Sequence, residues 1–170
     1  MTALCFVDAN LFVHSINSAE RTKQELAATL VERLWVEQRG RTSIQAMCEF
    51  YAVATRKLRH VVLPERMAAL LDLLLLWDPQ PVDTAVFQRA RDIEARYKLS
   101  WWDSLNVAAA RLQHCSVLYS EDLQHGATLD GMKIVNPFIS QVQEEPAPYA
   151  VQLISPHRPR GRPRKQSALA

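Results

Sequence analysis

The sequence predicts an α/β protein in which a short, mainly parallel central sheet is covered by helices on both faces. Three observations lead there. The candidate strands, residues 4–7, 116–119 and 132–135, are short and largely apolar rather than alternating. Stretches with apolar residues at helical spacing separate most of them. Apolar residues make up 48% of the 170, enough for one domain with a packed core.

Taken in order, residues 4–7 read as a strand buried on both faces and stopped by Asp8. Residues 10–17 suit a short helix. Residues 20–38 suit a longer one, with Leu26, Leu30, Leu34, Ala27 and Val31 at helical spacing and Gly40 closing it. Residues 42–44 fit a short second strand. Ser43 caps a helix to about residue 58, with Met47, Tyr51, Ala54 and Leu58 on one side. Pro64 opens the next helix, through residue 76, whose leucine run is nearly apolar all round, as in a buried helix or a dimer face. Asp78–Pro79–Gln80–Pro81 is a break. A helix then starts at Asp83 or Thr84 and runs to about Lys98, and Ser100 caps another to about His114. After the strand at 116–119 comes a polar loop with Gly126, then the last strand, which Asn136–Pro137 ends.

Composition excludes several classes. Cys5, Cys48 and Cys115 are odd in number and far apart, which argues against a disulfide framework or a zinc ribbon and for a reducing interior. The first residues lack a basic segment and meet Asp8 early, unlike a signal peptide. The apolar run ending at Trp77 is too short, and too close to Asp72 and Asp78, to span a bilayer. A soluble cytoplasmic protein is the expectation, with no membrane partner. The net charge of +2 hides a split: Arg158, Arg160, Arg162, Arg164 and Lys165 stand in a tail without acids, and residues 1–150 carry a net of −3. Five of the nine prolines lie between Pro146 and Pro163. This places a folded domain at 1–140 and a tail at 141–170 that is expected to be disordered.

Four carboxylates stand out. Asp8 and Asp122 each lie just past a candidate strand, and open parallel sheets bind ligands beyond the carboxyl ends of strands. Either alone also suits a strand end or a helix cap. Glu49 sits in a helix beside Gln45, Ala46, Ala52 and Val53, a small and mostly apolar face, where an ionised carboxylate needs a partner. A metal ion is one such partner; Arg56, Lys57 or open solvent are others. Asp103 fits a capping box in Ser100–Trp101–Trp102–Asp103, the acid bonding back to the cap's amide, yet a helix N-terminus is also well placed to face the sheet rim. Clustered carboxylates repel. Hard cations such as Mg²⁺ or Mn²⁺ relieve this through oxygen ligands and assist phosphodiester hydrolysis. His14, His60, His114 and His125 show no metal spacing, and Arg56, Lys57 and Arg59 suit the end of a helix. Of Trp101 and Trp102, one is expected in the core; the other is left open between core and a base-stacking role.

The motifs resemble those of PIN domains. Phe6–Val7–Asp8–Ala9–Asn10 resembles the family's opening motif. Glu49, then Trp102–Asp103–Ser104–Leu105, then Tyr119–Ser120–Glu121–Asp122 resemble the next three in order, and Ile134–Val135–Asn136–Pro137–Phe138 the usual ending. The resemblance spans about residues 3–138, and its size and spacing are most similar to the VapC-type toxin nucleases. It implies a three-layer α/β/α PIN-like fold and an Mg²⁺- or Mn²⁺-dependent endoribonuclease acting on RNA. It also implies membership of a toxin–antitoxin pair, with an antitoxin partner and a homodimer. By the same resemblance, Asp8, Glu49, Asp103 and Asp122 are metal ligands or supporting acids, and Asn10 and Ser120 position ligands or water. Asn106, one turn after Asp103, either supports that site or is a solvated helix residue. The tail departs from the pattern.

That tail resembles an AT-hook over residues 158–165. Pro159 and Pro163 keep the flanks extended, and Gly161 lets the backbone approach a groove floor. Arg160 and Arg162 then suit a narrow A/T-rich minor groove, with Arg158, Arg164 and Lys165 on phosphates. The alternative is a disordered tail that aids solubility or binds any polyanion, RNA included. Two other functions compete. A haloacid-dehalogenase-like phosphatase needs a second aspartate at position 10, where this chain has Asn10. A DNA-binding regulator would act through the tail and leave the acidic site idle.

Overall fold

A computed structural model describes residues 3–139. The central sheet has strand order β2-β1-β3-β5-β4. β1 (Cys5–Val7) is its middle-left member, pairing in parallel with β2 (Gly40–Arg41) on one side and β3 (Val117–Tyr119) on the other. β3 pairs in parallel with β5 (Met132–Val135), and β4 (Thr128–Leu129) closes the far edge antiparallel to β5.

Alternation along β1 divides the core into two layers. Cys5 and Val7 face a cluster that includes Phe12 of α1 (Ala9–Ile16), Leu30 and Leu34 of α2 (Arg21–Val36), Phe50 of α3 (Ile44–Lys57) and Leu74 of α4 (Pro64–Leu75). Phe6 faces the other cluster with Leu118 and Ile134, under Val86 and Ile93 of α5 (Thr84–Tyr97) and Val107 and Ala108 of α6 (Trp101–Leu112). The result is a three-layer α/β/α arrangement, as the apolar inner strands β1 and β3 require, while Thr128 of β4 and Lys133 of β5 reach water. Among the described residues, no helix is long and apolar enough to cross a membrane.

The helix starts follow local chemistry. Ser43, Asp83 and Ser100 each accept a backbone N–H in the first turn of α3, α5 and α6, and Pro64 occupies the first turn of α4. The details depart from expectation in five places, one of them the unexpected strand β4. Gly40 is a strand residue, not the end of α2; Gln38 takes the left-handed conformation there, with φ 53. Strand β2 lies at Gly40–Arg41 rather than 42–44, and Ser43 makes only an isolated bridge to Gln80. Tyr51 is exposed, because the buried side of α3 is Gln45, Ala46, Met47, Phe50 and Ala54. In α4 only Met67 and Leu74 are buried, and Leu73, Leu75 and Leu76 at its end are exposed, so it is not a buried helix.

Gly40 has a packing reason of its own. A Cβ there would collide with the Trp77 ring, which is buried and lies between Phe12 and Trp35. Gly40→Ala is therefore expected to destabilise the domain by about 1–3 kcal/mol, read as a lower denaturant midpoint at unchanged slope. An unchanged midpoint would show that Trp77 moves aside freely.

Candidate active site

The register of β1 against β3 pairs Val7 with Tyr119, so the next residues, Asp8 and Ser120, emerge side by side at the strand ends. Asp8 also caps α1, in extended conformation. Its carboxylate is saturated by donors. One oxygen accepts from the Ala9 N–H at 2.7 Å and from Asn106 Nδ2 at 3.0 Å. The other accepts from Ser120 Oγ at 2.7 Å and Asn10 Nδ2 at 3.2 Å. Asp8 is only 5% exposed, and burial pushes its pKa up to about 6. The Ser120 and Ala9 hydrogen bonds pull the other way, while the charges of Glu49 and Asp122 add to the rise.

Asn10 joins two strand ends. Its Nδ2 also donates to Asp122 Oδ2 at 3.0 Å and to Ser120 Oγ at 3.2 Å. Ser120 Oγ in turn accepts the Asp122 N–H at 3.2 Å, which fixes the loop after β3. Asp122 is exposed, so its carboxylate stands at the water-facing side of the buried Asp8.

The other two acids approach from the helices. Glu49 is half-buried on α3, where Gln45 Nε2 donates to it at 2.8 Å; Arg56 and Lys57 do not pair with it. Asp103 is in the first turn of α6. Its N–H donates to Ser100 Oγ at 3.1 Å and its carboxylate accepts from that hydroxyl at 2.6 Å. The acid thus bonds the cap's hydroxyl, where the sequence pattern implied the cap's amide. Asp8, Asn10, Glu49, Asp103, Asn106 and Asp122 all line one cleft of about 350 Å³. Asn106 is 4% exposed and so is no solvated helix residue.

Sequence reasoning missed several residues here. Ser43 was legible only as a cap; its hydroxyl also donates to Asn106 Oδ1 at 3.3 Å and so turns the Asn106 amide toward Asp8. Gln45 links Glu49 to the carbonyl of Trp102, 3.3 Å away. Glu121 lies in the cleft wall but is held by His14 Nε2 at 2.6 Å and by Lys23 Nζ at 2.8 Å. Burial raises the pKa of Glu121, yet these two partners hold the carboxyl below its ordinary range. No spacing rule signals that trio, because it joins three separate elements.

A cation suits the donor chemistry of the cleft. The four acids offer oxygen ligands only, and among the described residues no lysine, arginine or histidine forms an ion pair with any of them. The Asn10 amide stands between Asp8 and Asp122 with its own oxygen buried and without a partner. That is the arrangement of side chains sharing a weak positive dipole where a full charge is wanted. As they stand, no three His, Cys, Asp or Glu side chains among the described residues converge closely enough to hold one ion. The tail residues Arg158, Arg160, Gly161, Arg162, Arg164 and Lys165 lie outside the described residues.

Residues 5–128 match the PIN domain family. The fold is similar to the crystal structure of Mycobacterium tuberculosis VapC20, a toxin that cleaves the sarcin–ricin loop. The two are 19% identical, with a TM-score of 0.50, and the match covers 67% of this chain and 86% of that one. No curated protein matches the sequence. At that identity the structural likeness speaks to the fold alone.

Proposed function

The chain belongs to the PIN-domain family of nucleases, and from that premise we propose that it is an Mg²⁺- or Mn²⁺-dependent endoribonuclease. The observation that carries this reading is the pairing of a buried Asp8 with an exposed Asp122 through Asn10, at the carboxyl ends of β1 and β3, with no basic side chain among the described residues paired to either. PIN domains generally use divalent metal ions. Asp8 and Asp122 would hold the ion, with Glu49 and Asp103 facing it across the cleft. When bound, the ion supplies the charge that activates water and stabilises a leaving oxygen at a phosphodiester. The chain's own residues prepare for it. Asn106, Ser120 and the Ala9 N–H orient the Asp8 carboxylate, and Gln45 and Ser100 each donate a hydrogen bond that positions Glu49 and Asp103.

The test is cleavage of labelled single-stranded RNA, transfer RNA and duplex DNA by the full chain, with Mn²⁺ and with EDTA. Metal-dependent RNA cleavage supports the reading; no cleavage of RNA under any condition overturns it.

Within this reading the chain is the toxin of a toxin–antitoxin pair, working as a homodimer that an antitoxin protein restrains. The domain limits 1–140 and 141–170 belong to the same proposal. The Pro159–Arg160–Gly161–Arg162–Pro163 core supports a second activity, binding of A/T-rich DNA by the tail. Deleting residues 141–170 is expected to leave RNA cleavage within about two-fold and to abolish retention of an A/T-rich duplex at low salt. Loss of the biological activity with the tail while the nuclease persists would favour the DNA-binding regulator instead.

A further inference from the structure

Trp101 and Trp102 begin α6, and the structure separates them. Trp101 packs edge-on against Phe87, with ring centroids 5.1 Å apart, and joins the second core cluster. Trp102 is 61% exposed and lines the same cleft as Asp8, Glu49, Asp103 and Asp122. Among the described residues it stacks on no other aromatic ring. Its backbone is nonetheless anchored. The carbonyl accepts from Gln45, itself only 7% exposed, and the Ser100 cap fixes the start of the helix.

An indole 61% exposed beside four carboxylates gains little for folding, since burial is what makes such a ring stabilising. On a rigid helix start it offers a flat apolar face at a fixed place. Every nucleobase has a matching face, and stacking on an exposed aromatic is how single strands are gripped without reading their sequence. A paired base cannot present that face, because its neighbours in the helix already cover it. Lys57 lines the same cleft and supplies a cation for the adjoining phosphates.

We propose that Trp102 is a nucleobase-stacking subsite that seats one unpaired base of single-stranded RNA beside the cleaved phosphate. This rests on the nuclease reading and adds to it the side chain that seats the base.

The experiment uses the full chain with Mn²⁺ and a set of single-stranded RNAs carrying one abasic position moved along the strand. For wild-type protein, one abasic position is expected to raise KM roughly ten- to hundred-fold. Trp102→Ala is expected to raise KM for intact RNA by about the same factor, far more than it lowers kcat, and to be indifferent to that abasic position. Trp102→Phe should keep most of the wild-type KM and the sensitivity to it. A purely structural tryptophan would not make the two losses coincide. If Trp102→Ala does not fold, the abasic scan on wild type and on Trp102→Phe decides. RNA cleavage with a flat scan overturns the stacking subsite and leaves the nuclease standing. Absence of RNA cleavage by wild-type protein overturns the nuclease reading and the subsite with it.

Discussion

Asp8→Asn is expected to lower the rate of RNA cleavage by roughly 10²–10³-fold or more, the scale of losing one preorganised electrostatic group at a reacting centre. The same change is expected to make the metal-free protein less sensitive to pH. The Asp8 pKa is raised from 3.8 to about 6 in the folded chain. Below about pH 3.8 the group is protonated in folded and unfolded states alike and costs nothing. Between about pH 3.8 and 6 the unfolded chain ionises this carboxyl while the folded chain keeps it protonated, so the folded state loses up to about 3 kcal/mol, a loss complete once pH passes about 6 and the buried carboxyl ionises too. Asparagine does not ionise, so this loss is expected to vanish from denaturant melts run between pH 4 and 7. Mn²⁺ competes with the proton, so its stabilisation of the wild-type chain is expected at pH 7.5, to fade below about pH 6, and to be absent in Asp8→Asn. A mutant that melts like wild type with and without Mn²⁺ would show that Asp8 is only the cap of α1.

Asn106→Leu is expected to destabilise the domain by about 1–3 kcal/mol, because the buried Ser43 hydroxyl loses its acceptor and the buried Asp8 carboxylate loses one of its four donors. Asn106 is the acceptor for the Ser43 hydroxyl and a donor to Asp8, and all three are buried. Removing the donor also leaves the Asp8 carboxylate less compensated, so the pH at which Mn²⁺ stabilisation is half lost is expected to rise. Asn106→Asp supplies the contrast. It keeps an acceptor for Ser43 but sets a second carboxylate against Asp8, so its cost is expected to be larger at pH 7 than at pH 5. Equal costs for the two variants at both pH values would mean that Asn106 fills space rather than orienting Asp8.

Most of the fold was legible because it rests on local rules. Caps at Ser43, Asp83 and Ser100 and the helical spacing of apolar residues placed the helices, and the unbroken apolar strands implied a sheet covered twice. Strand β4 was missed although its signal was present. Asp130 and Gly131, with φ 51 and 80, form the two-residue turn between Leu129 and Met132, and Asp–Gly between apolar residues is a hairpin signal. Gly40 was misread because its neighbour in space, Trp77, is far along the chain. In the cleft, Asp8 and Asp122 were visible as strand-end residues, Asp103 as a helix-start residue and Glu49 as an acid on a small apolar helix face, but their tethers were not. The Gln45 link to Trp102 and the Glu121 contacts with His14 and Lys23 depend on which elements meet, and single-chain spacing carries no record of that. Which of two adjacent tryptophans faces out depends likewise on Phe87 of α5, which claims Trp101.

The most direct test of the metal-dependent cleft is the anomalous scattering of Mn²⁺ soaked into crystals of the full chain at pH 7.5. The account predicts a peak in the cleft bounded by Asp8 and Asp122, with the Asn10 amide displaced from its present place between them. It also predicts no such peak in Asp8→Asn crystals under the same soak. A protein that cleaves RNA only with Mn²⁺, yet shows its ion elsewhere or keeps the peak in Asp8→Asn, would contradict the assignment of these carboxylates as the metal site.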